Sequence, residues 1–197
     1  PSYKKLDYEF DVEQLKASAN DIIQLAKNDG KFFDMHNSSF VSCTSKKFKG
    51  FDKPYAGLSK RNNSYNFIPS KVSDSENDDR NHEFLSQYKN TYLYELTKQF
   101  EPVGKCIIAI LKPNGWWPSH VDYNTNVAIK LHFVITTNDM CFNLSLNKRT
   151  KDYDKVHMCE GETWFINTGF RHTATNFGNE DRIHYIITLP HQNVESL

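Results

Sequence analysis

Residues Val127–Thr137 have the sequence Val-Ala-Ile-Lys-Leu-His-Phe-Val-Ile-Thr-Thr, in which apolar and polar side chains alternate between Ile129 and Phe133. A period of two is the pattern of a β-strand with two unlike faces. Lys130 and His132 share one face, and their apolar neighbours share the other. The two polar residues are expected either to point into the mouth of a barrel or to form a solvent-facing row over a buried apolar row.

Strand candidates of similar character surround this segment. Each is short and rich in β-branched or aromatic residues, and turns containing Asn, Gly, Asp or Lys separate one from the next. This spacing predicts a mainly β fold with flanking α-helices, a jelly roll or barrel rather than repeated βαβ units. The remaining candidates are Cys106–Leu111, Cys141–Leu146, Glu162–Ile166, His172–Phe177 and Arg182–Leu189.

The first half of the chain predicts two helices that pack on the outside of one sheet. After a strand candidate at Leu6–Phe10, apolar residues of Val12–Ala26 recur at steps of three and four, which builds one apolar helical stripe that Asp29-Gly30 ends. A strand is predicted at Ser39–Cys43. A second helix is predicted from about Leu85, with its apolar residues up to Leu96 on one face, and Pro102 and Gly104 end it.

The chain of 197 residues is long enough for one domain with a sizeable core. We expect a single domain over residues 1–197, with residues 1–104 as its N-terminal part and residues 105–190 as its β core. Residues 51–82 are polar and lack an apolar anchor. They are expected to form a solvated loop or a lid over an active site.

Composition argues against several classes of protein. The 24 basic and 24 acidic side chains balance, so a broad nucleic-acid-binding surface is not expected. No run approaches the roughly 18 apolar residues of a membrane helix, and the start lacks the apolar core of a secretory signal. A cytoplasmic protein without membrane or nucleic-acid partners is predicted. Its cysteines form no C-x-x-C pair and are expected to be reduced core residues: Cys43, Cys106, Cys141 and Cys159.

The tripeptide His120-Val121-Asp122 is the motif with the clearest chemical meaning. Residues i and i+2 of an extended segment point to the same side, so His120 and Asp122 could reach one ion. His172 could return to the same ion from another strand. Two imidazoles and one carboxylate form a facial triad, which leaves three positions of an octahedral Fe(II) open. Taken singly, each residue could also be an ordinary core or surface residue.

Arg182 lies ten positions after His172 (182 − 172). If the two residues begin successive antiparallel strands, they lie on adjacent strands and can face the same interior. A guanidinium in that position would bind a carboxylate through two hydrogen bonds, and the terminal carboxylate of 2-oxoglutarate would serve. The alternative is a surface arginine that pairs with Glu180 or Asp181.

Taken together, five segments resemble a known family. Their order and spacing are similar to those of the aspartyl/asparaginyl β-hydroxylase-like branch of Fe(II)/2-oxoglutarate dioxygenases, which is related to bacterial free-amino-acid and proline hydroxylases. The resemblance covers about residues 105–190 and implies a double-stranded β-helix, a cupin-like jelly roll. The segments are Pro118–Asp122, Ala128–Phe133, Glu160–Phe165, His172–Asn176 and Arg182-Ile183.

The resemblance implies a role for each matching position. The triad of His120, Asp122 and His172 would bind iron, and Arg182 would hold the distal carboxylate of 2-oxoglutarate. Two further residues, Lys130 and His132, would help to bind the co-substrate. Lysine is a departure here, because the family often has an arginine at that position.

The implied reaction uses Fe(II), 2-oxoglutarate and O₂ to hydroxylate a substrate, with release of succinate and CO₂. A small molecule or a short peptide is expected as substrate, either a free amino acid such as proline or a residue of the Asp, Asn or Pro type. Candidate substrate-binding residues near the triad motifs are Trp117, Tyr123, Asn124 and Arg171.

Two other functions are compatible with the same residues. A non-enzymatic jelly-roll or cupin-like binding module would share the fold and bind neither iron nor 2-oxoglutarate. A zinc hydrolase would use the triad with a water as fourth ligand. The second alternative leaves Arg182 without a role.

Overall fold

The computed structural model describes residues 2–46 and 82–190. Two facing antiparallel sheets form the framework of the fold, and helices cover one of the sheets. The strands, numbered along the chain, are β1 (Tyr3–Leu6), β2 (Phe33–Asp34), β3 (Ser38–Ser42), β4 (Thr44–Lys46), β5 (His82–Phe84), β6 (Cys106–Leu111), β7 (Trp116–His120), β8 (Ala128–Thr136), β9 (Cys141–Leu146), β10 (Tyr153–Val156), β11 (Thr163–Ile166), β12 (His172–Asn176) and β13 (Arg182–Pro190).

The larger sheet has seven strands in the order β1-β11-β8-β13-β6-β3-β2, and the smaller has four in the order β10-β9-β12-β7. Strands β4 and β5 form a separate two-stranded ribbon. The pairings between these strands are antiparallel. This architecture is the predicted mainly β jelly roll, a double-stranded β-helix.

Strand β8 lies inside the larger sheet, between β11 and β13. Its residues Ile129, Leu131 and Phe133 are buried in the main apolar core. Lys130 and His132 point to the opposite face, because side chains alternate along a strand. The predicted division of this strand into two faces is confirmed, and its polar face is the one that looks toward the smaller sheet.

Helix α1 (Val12–Asn28) begins where the Asp11 side chain accepts a hydrogen bond from the backbone N–H of Gln14 at 3.0 Å. Helix α2 (Tyr92–Lys98) begins in the same way, with Thr91 as its N-cap. Both helices bury an apolar stripe in the core on the outer face of the larger sheet. Helix α1 contributes Leu15, Ala19, Ile22, Ile23 and Ala26, and helix α2 contributes Leu93 and Leu96.

Three local predictions are wrong. The first strand is Tyr3–Leu6 rather than Leu6–Phe10. The second helix is interrupted, since a single 3₁₀ turn at Ser86–Tyr88 precedes α2. One of the cysteines, Cys159, is exposed, although all four are free as predicted. The remaining three cysteines are buried.

The predicted adjacency of the strands that carry His172 and Arg182 is also wrong. Strand β12 belongs to the smaller sheet and β13 to the larger one. The two residues still face one interior, but they approach it from opposite sheets. The predicted loop at residues 51–82 lies outside the described residues except for His82, which begins β5. Within the described residues, no helix is long and apolar enough to cross a membrane.

Candidate metal centre

Two histidines lie side by side on neighbouring strands of the smaller sheet. Strand β7 ends at His120, β12 begins at His172, and the antiparallel register pairs these two residues directly. Their ring centroids are 4.3 Å apart. The register shifts between His172 and Ala174, and irregularities of this kind redirect side chains beside functional sites. Strand pairing therefore joins two ligand candidates that are distant in sequence.

Backbone carbonyl groups fix the tautomer of both imidazoles. The Nδ1 atom of His120 lies 2.6 Å from the carbonyl oxygen of Pro118, and that of His172 lies 2.9 Å from the carbonyl oxygen of Phe170. A carbonyl oxygen only accepts, so each ring carries its hydrogen on Nδ1. The lone pair of each Nε2 is then available to a metal, an arrangement typical of metal-binding histidines.

Asp122 completes the group just beyond the end of β7. Its backbone N–H donates to the carbonyl oxygen of Thr168 at 2.8 Å, and its Oδ2 lies 3.7 Å from Nε2 of His120. One ligand atom from each of His120, Asp122 and His172 lies within 4.8 Å of the other two. Two imidazole nitrogens and one carboxylate oxygen at this spacing fit a 2-His-1-carboxylate site for Fe(II).

Charge and burial keep Asp122 and His172 in the protonation states that suit metal binding. Burial would raise the pKa of Asp122, but Lys130, His120 and His172 hold it well below its usual range. The Nζ atom of Lys130 donates to Oδ2 of Asp122 at 2.5 Å. Burial lowers the pKa of His172 to about 4, so its ring is neutral at pH 7. Metal binding requires both an ionised carboxylate and neutral imidazoles.

Arg182 points into the same interior from the larger sheet and is 4% exposed. Its Nη2 atom donates to Oδ1 of Asn143 at 3.0 Å and to Nδ1 of His184 at 3.1 Å. Burial lowers its pKa to about 10, which leaves it cationic at pH 7. Among residues 2–46 and 82–190, no carboxylate lies within 4.0 Å of this guanidinium. A buried cation without an anion is unfavourable, so the site is suited to an anionic ligand.

His132 lies between the arginine and the triad. Its Nδ1 is 3.3 Å from Nδ1 of His184. Burial, followed by the charges of Arg182, Lys130 and His172, holds the pKa of His132 well below its usual range. His184 links this imidazole to Arg182, and Lys130, on the same face of β8 as His132, contacts Asp122 of the triad. Arg182 and the triad consequently belong to one polar interior.

The four predicted substrate-binding residues lie around the triad at different depths. The Trp117 ring contacts the His120 imidazole edge-on, with centroids 6.5 Å apart. Tyr123 is buried and Asn124 is exposed in the turn after Asp122. Arg171 is half-buried beside His172. Their proximity to the triad motifs keeps them as candidates, and their role in substrate binding stays a prediction.

Sequence reasoning missed the polar residues that surround Arg182. Asn143 and Ser145 alternate with Phe142, Leu144 and Leu146 along β9, a pattern that would have predicted their common inward face. His184 similarly follows Arg182 by two positions on β13. Tyr3 of β1 also faces this interior, where it packs against Val134, Met158 and Ile166. Its position could not be predicted, because nothing in its segment indicates which sheet edge it joins.

Both the sequence and the fold are similar to those of known proteins. The family model described as Aspartyl/Asparaginyl beta-hydroxylase matches residues 75–192, more than half of the chain. A prolyl-4-hydroxylase from Pseudomonas putida is similar in structure, with a TM-score of 0.53 at 8% identity over 97% of this chain and 93% of that chain. An oxidoreductase of the 2OG-Fe(II) oxygenase family from Burkholderia pseudomallei is also similar in structure. Its TM-score is 0.54 at 8% identity, over 94% of this chain and 93% of that chain. At such identities, the two structures establish the shared fold.

Proposed function

Since the chain belongs to the aspartyl/asparaginyl β-hydroxylase family and is a dioxygenase of the hydroxylase type, we propose that it is an Fe(II)- and 2-oxoglutarate-dependent oxygenase. Its substrate would be an amino acid, either free or as an Asp, Asn or Pro residue of a short peptide. Succinate and CO₂ would be the co-products. Family membership argues against the binding-module and zinc-hydrolase alternatives.

The observation that carries this proposal is the buried guanidinium of Arg182, which shares one interior with the triad. Its hydrogen bonds to Asn143 and His184 go to neutral acceptors and leave its charge unbalanced. A dicarboxylate would balance this charge with its distal end. The other end of the same molecule would lie toward His172 and Asp122.

The triad would hold the metal, and neighbouring groups orient the three ligand side chains. Backbone carbonyls present the Nε2 atoms of His120 and His172, and Lys130 fixes the orientation and charge of Asp122. When bound, Fe(II) supplies O₂ activation, coupled to oxidative decarboxylation of 2-oxoglutarate and to oxygen insertion into a C–H bond.

Lys130 and His132 would act near the co-substrate in different ways. The ammonium of Lys130 is a point charge bound to Asp122 and lacks the planar fork of an arginine. Its role would be mainly to orient that carboxylate. His132 is neutral and buried, so it would contribute hydrogen bonding and shape to the co-substrate pocket without competing with Arg182 for negative charge.

Substrate binding would take place at the open end of the triad. Trp117 offers an aromatic wall beside His120, and Arg171 is close enough in sequence to His172 to meet a substrate carboxylate. Tyr123 and Asn124 would line the opposite side after Asp122. These positions suit a free amino acid or an Asp, Asn or Pro residue of a short peptide.

A spectroscopic experiment tests the proposal. The protein is mixed anaerobically with Fe(II) and 2-oxoglutarate, and the visible charge-transfer band of the chelate is recorded. We expect the band in the wild-type protein and in His36→Ala, which alters an exposed histidine, and its loss in His172→Ala. Iron-loaded wild-type protein without the band, or succinate release by His172→Ala at the wild-type rate, would overturn the assignment.

A further inference from the structure

The interior around Arg182 contains buried polar atoms that make no hydrogen bond of standard geometry. Three of them are Oη of Tyr3, Oγ of Ser145 and Nε2 of His184. The Nδ1 atom of His184 accepts from Arg182, so Nε2 carries the hydrogen and is a donor. Buried polar groups are nearly always paired, and a cluster of unpaired ones indicates a missing ligand or water.

Tyr3 reaches this interior from the N-terminal strand. In the register of β1 and β11 it lies opposite Ile166, and its ring packs with the small inner cluster of Val134, Met158 and Ile166. Burial raises the pKa of Tyr3, whereas the neighbouring Ser145 hydroxyl and the charge of Arg182 lower it, as expected for groups that share one interior. The nearby carboxylate of Asp154 does not bind this hydroxyl, since it accepts from Ser2 and Asn147 instead.

Ser145 lies between the metal triad and the arginine. It pairs directly with His172 across β9 and β12. Asn143 is two positions earlier on the same face of β9, and it accepts from Arg182 at 3.0 Å. Two residues along a strand span about 6.6–6.8 Å, a length similar to that of a five-carbon dicarboxylate. The polar residues of the interior therefore lie in a row that leads from His172, past Ser145, to Arg182.

We propose that the hydroxyls of Tyr3 and Ser145 bind the distal carboxylate of 2-oxoglutarate together with Arg182, so that the N-terminal strand β1 is part of the co-substrate site. This inference rests on the proposed function. A carboxylate only accepts hydrogen bonds, and the two hydroxyls and the guanidinium are all able to donate. Burial, aided by Asp154, raises the pKa of Tyr3, so its hydroxyl keeps its proton at neutral pH.

The proposal predicts selectivity for a dicarboxylate. A 2-oxo acid without the distal carboxylate, such as 2-oxobutyrate, would reach the metal without using Tyr3 or Ser145. Losing either hydroxyl should therefore weaken 2-oxoglutarate binding and leave the binding of 2-oxobutyrate unchanged. Loss of a hydrogen bond to a charged group corresponds to roughly a 10- to 100-fold loss of affinity.

The experiment titrates the anaerobic Fe(II)-loaded full chain with each 2-oxo acid and follows the charge-transfer band. Tyr3→Phe and Ser145→Ala are compared with Tyr153→Phe and Ser86→Ala, which alter exposed residues. Iron affinity and thermal unfolding of the ligand-free protein are measured for all of the variants. We expect the two inner variants to bind 2-oxoglutarate about 10-fold or more weakly, with iron affinity unchanged and ligand-free stability unchanged or higher.

The outcomes separate the two proposals. If the wild-type protein does not bind 2-oxoglutarate, the proposed function fails. If the wild-type protein binds it and both inner variants bind it equally well, the hydroxyls hold only water and this inference fails. A loss of affinity for both 2-oxo acids, or a lower stability of the ligand-free variants, would show a merely structural role and would also overturn the inference.

Discussion

The two faces of the seven-stranded sheet are built from the same strands and behave differently. On the outer face, Phe133 and Tyr185 pack under the helices, and the Tyr185 hydroxyl pairs with Thr97 at 2.6 Å. On the inner face, His184 and Arg182 lie in a polar interior where donors remain unpaired. The outer face should therefore determine stability, whereas the inner face needs a ligand to satisfy its polar groups.

The largest expected effect on stability comes from the outer face. Phe133 is fully buried and its ring contacts Tyr8, Phe10 and Phe100 at centroid distances of 5.9, 5.5 and 5.6 Å. Phe133→Ala should lower the free energy of unfolding by about 3–5 kcal/mol, because it removes buried surface and leaves a cavity. Urea denaturation of the metal-free protein measures this loss.

A matched substitution tests whether burial causes the effect. Phe177 is 59% exposed, so Phe177→Ala should change the unfolding free energy by less than about 1 kcal/mol. Phe133→Ala protein that remains folded should keep its affinity for 2-oxoglutarate, since the ring faces away from the site. Equal losses of unfolding free energy in the two alanine variants would contradict the conclusion that the outer face determines stability.

Sequence patterns predicted the inner strands of both sheets well. Strands β6 and β9 have the predicted bounds, and β8 differs from its prediction by one residue at each end. Strands β6 and β8 have one apolar face against the main core. Strand β9 alternates equally clearly, although its buried face is the one that carries Asn143 and Ser145. The structure also brings together the three residues of the predicted triad. Residue type and the two-residue spacing made this grouping predictable, because they limit how a metal can be bound.

Edge strands were missed for a physical reason. Strands β7 and β10 lie at the two edges of the smaller sheet, and their side chains are exposed or half-buried. Neither strand therefore shows a clear apolar stripe. Strand β7 also contains Pro118, which is tolerated at a sheet edge and resembles a turn signal in the sequence. The position of Tyr3 depends on long-range pairing of β1 with β11, which no local pattern contains.

The second prediction concerns the buried guanidinium of Arg182 on the inner face. Arg182→Met should weaken 2-oxoglutarate binding about 100-fold, because a charged pair with two hydrogen bonds is lost. The free energy of unfolding of the ligand-free protein should change by about 1 kcal/mol or less, since removing a buried charge offsets the lost bonds to Asn143 and His184. Titration of the charge-transfer band and urea denaturation measure the two quantities.

Arg149→Met is the matched control, because Arg149 is an exposed turn residue. It should leave both quantities unchanged. If Arg182→Met were destabilised as strongly as Phe133→Ala and bound 2-oxoglutarate normally, the inner arginine would be a structural element, and the distinction between the two faces would be lost.

The third prediction is a dependence of stability on pH. Burial, together with Arg182 and His132, holds the pKa of His184 well below its usual range, so the folded protein keeps this ring neutral. In the unfolded chain the ring gains a proton below about pH 6.5. The unfolded state then binds more protons, and the free energy of unfolding falls as the pH decreases, by up to about 1.4 kcal/mol per pH unit for this group.

Urea denaturation of the metal-free protein at pH 7.5 and 5.5 checks this dependence. His184→Gln should lose less stability between the two pH values than the wild-type protein, by about 1 kcal/mol. His36→Gln, at an exposed histidine, is the control and should follow the wild-type protein. An unchanged pH dependence in His184→Gln would show that this histidine is not held neutral by the fold.

The smallest effects on stability and on 2-oxoglutarate affinity are expected from removing a single hydroxyl group on each face of the sheet. The Thr97 hydroxyl donates to the carbonyl oxygen of Leu93 at 2.7 Å, so Tyr185 is the donor in its bond to Thr97. Tyr185→Phe should therefore cost about 1 kcal/mol of unfolding free energy and leave 2-oxoglutarate affinity unchanged. Tyr3→Phe should do the reverse, because its hydroxyl makes no hydrogen bond of standard geometry in the ligand-free protein. The same chemical change thus separates the faces, and a loss of 2-oxoglutarate affinity in Tyr185→Phe would show that the outer face also shapes the site.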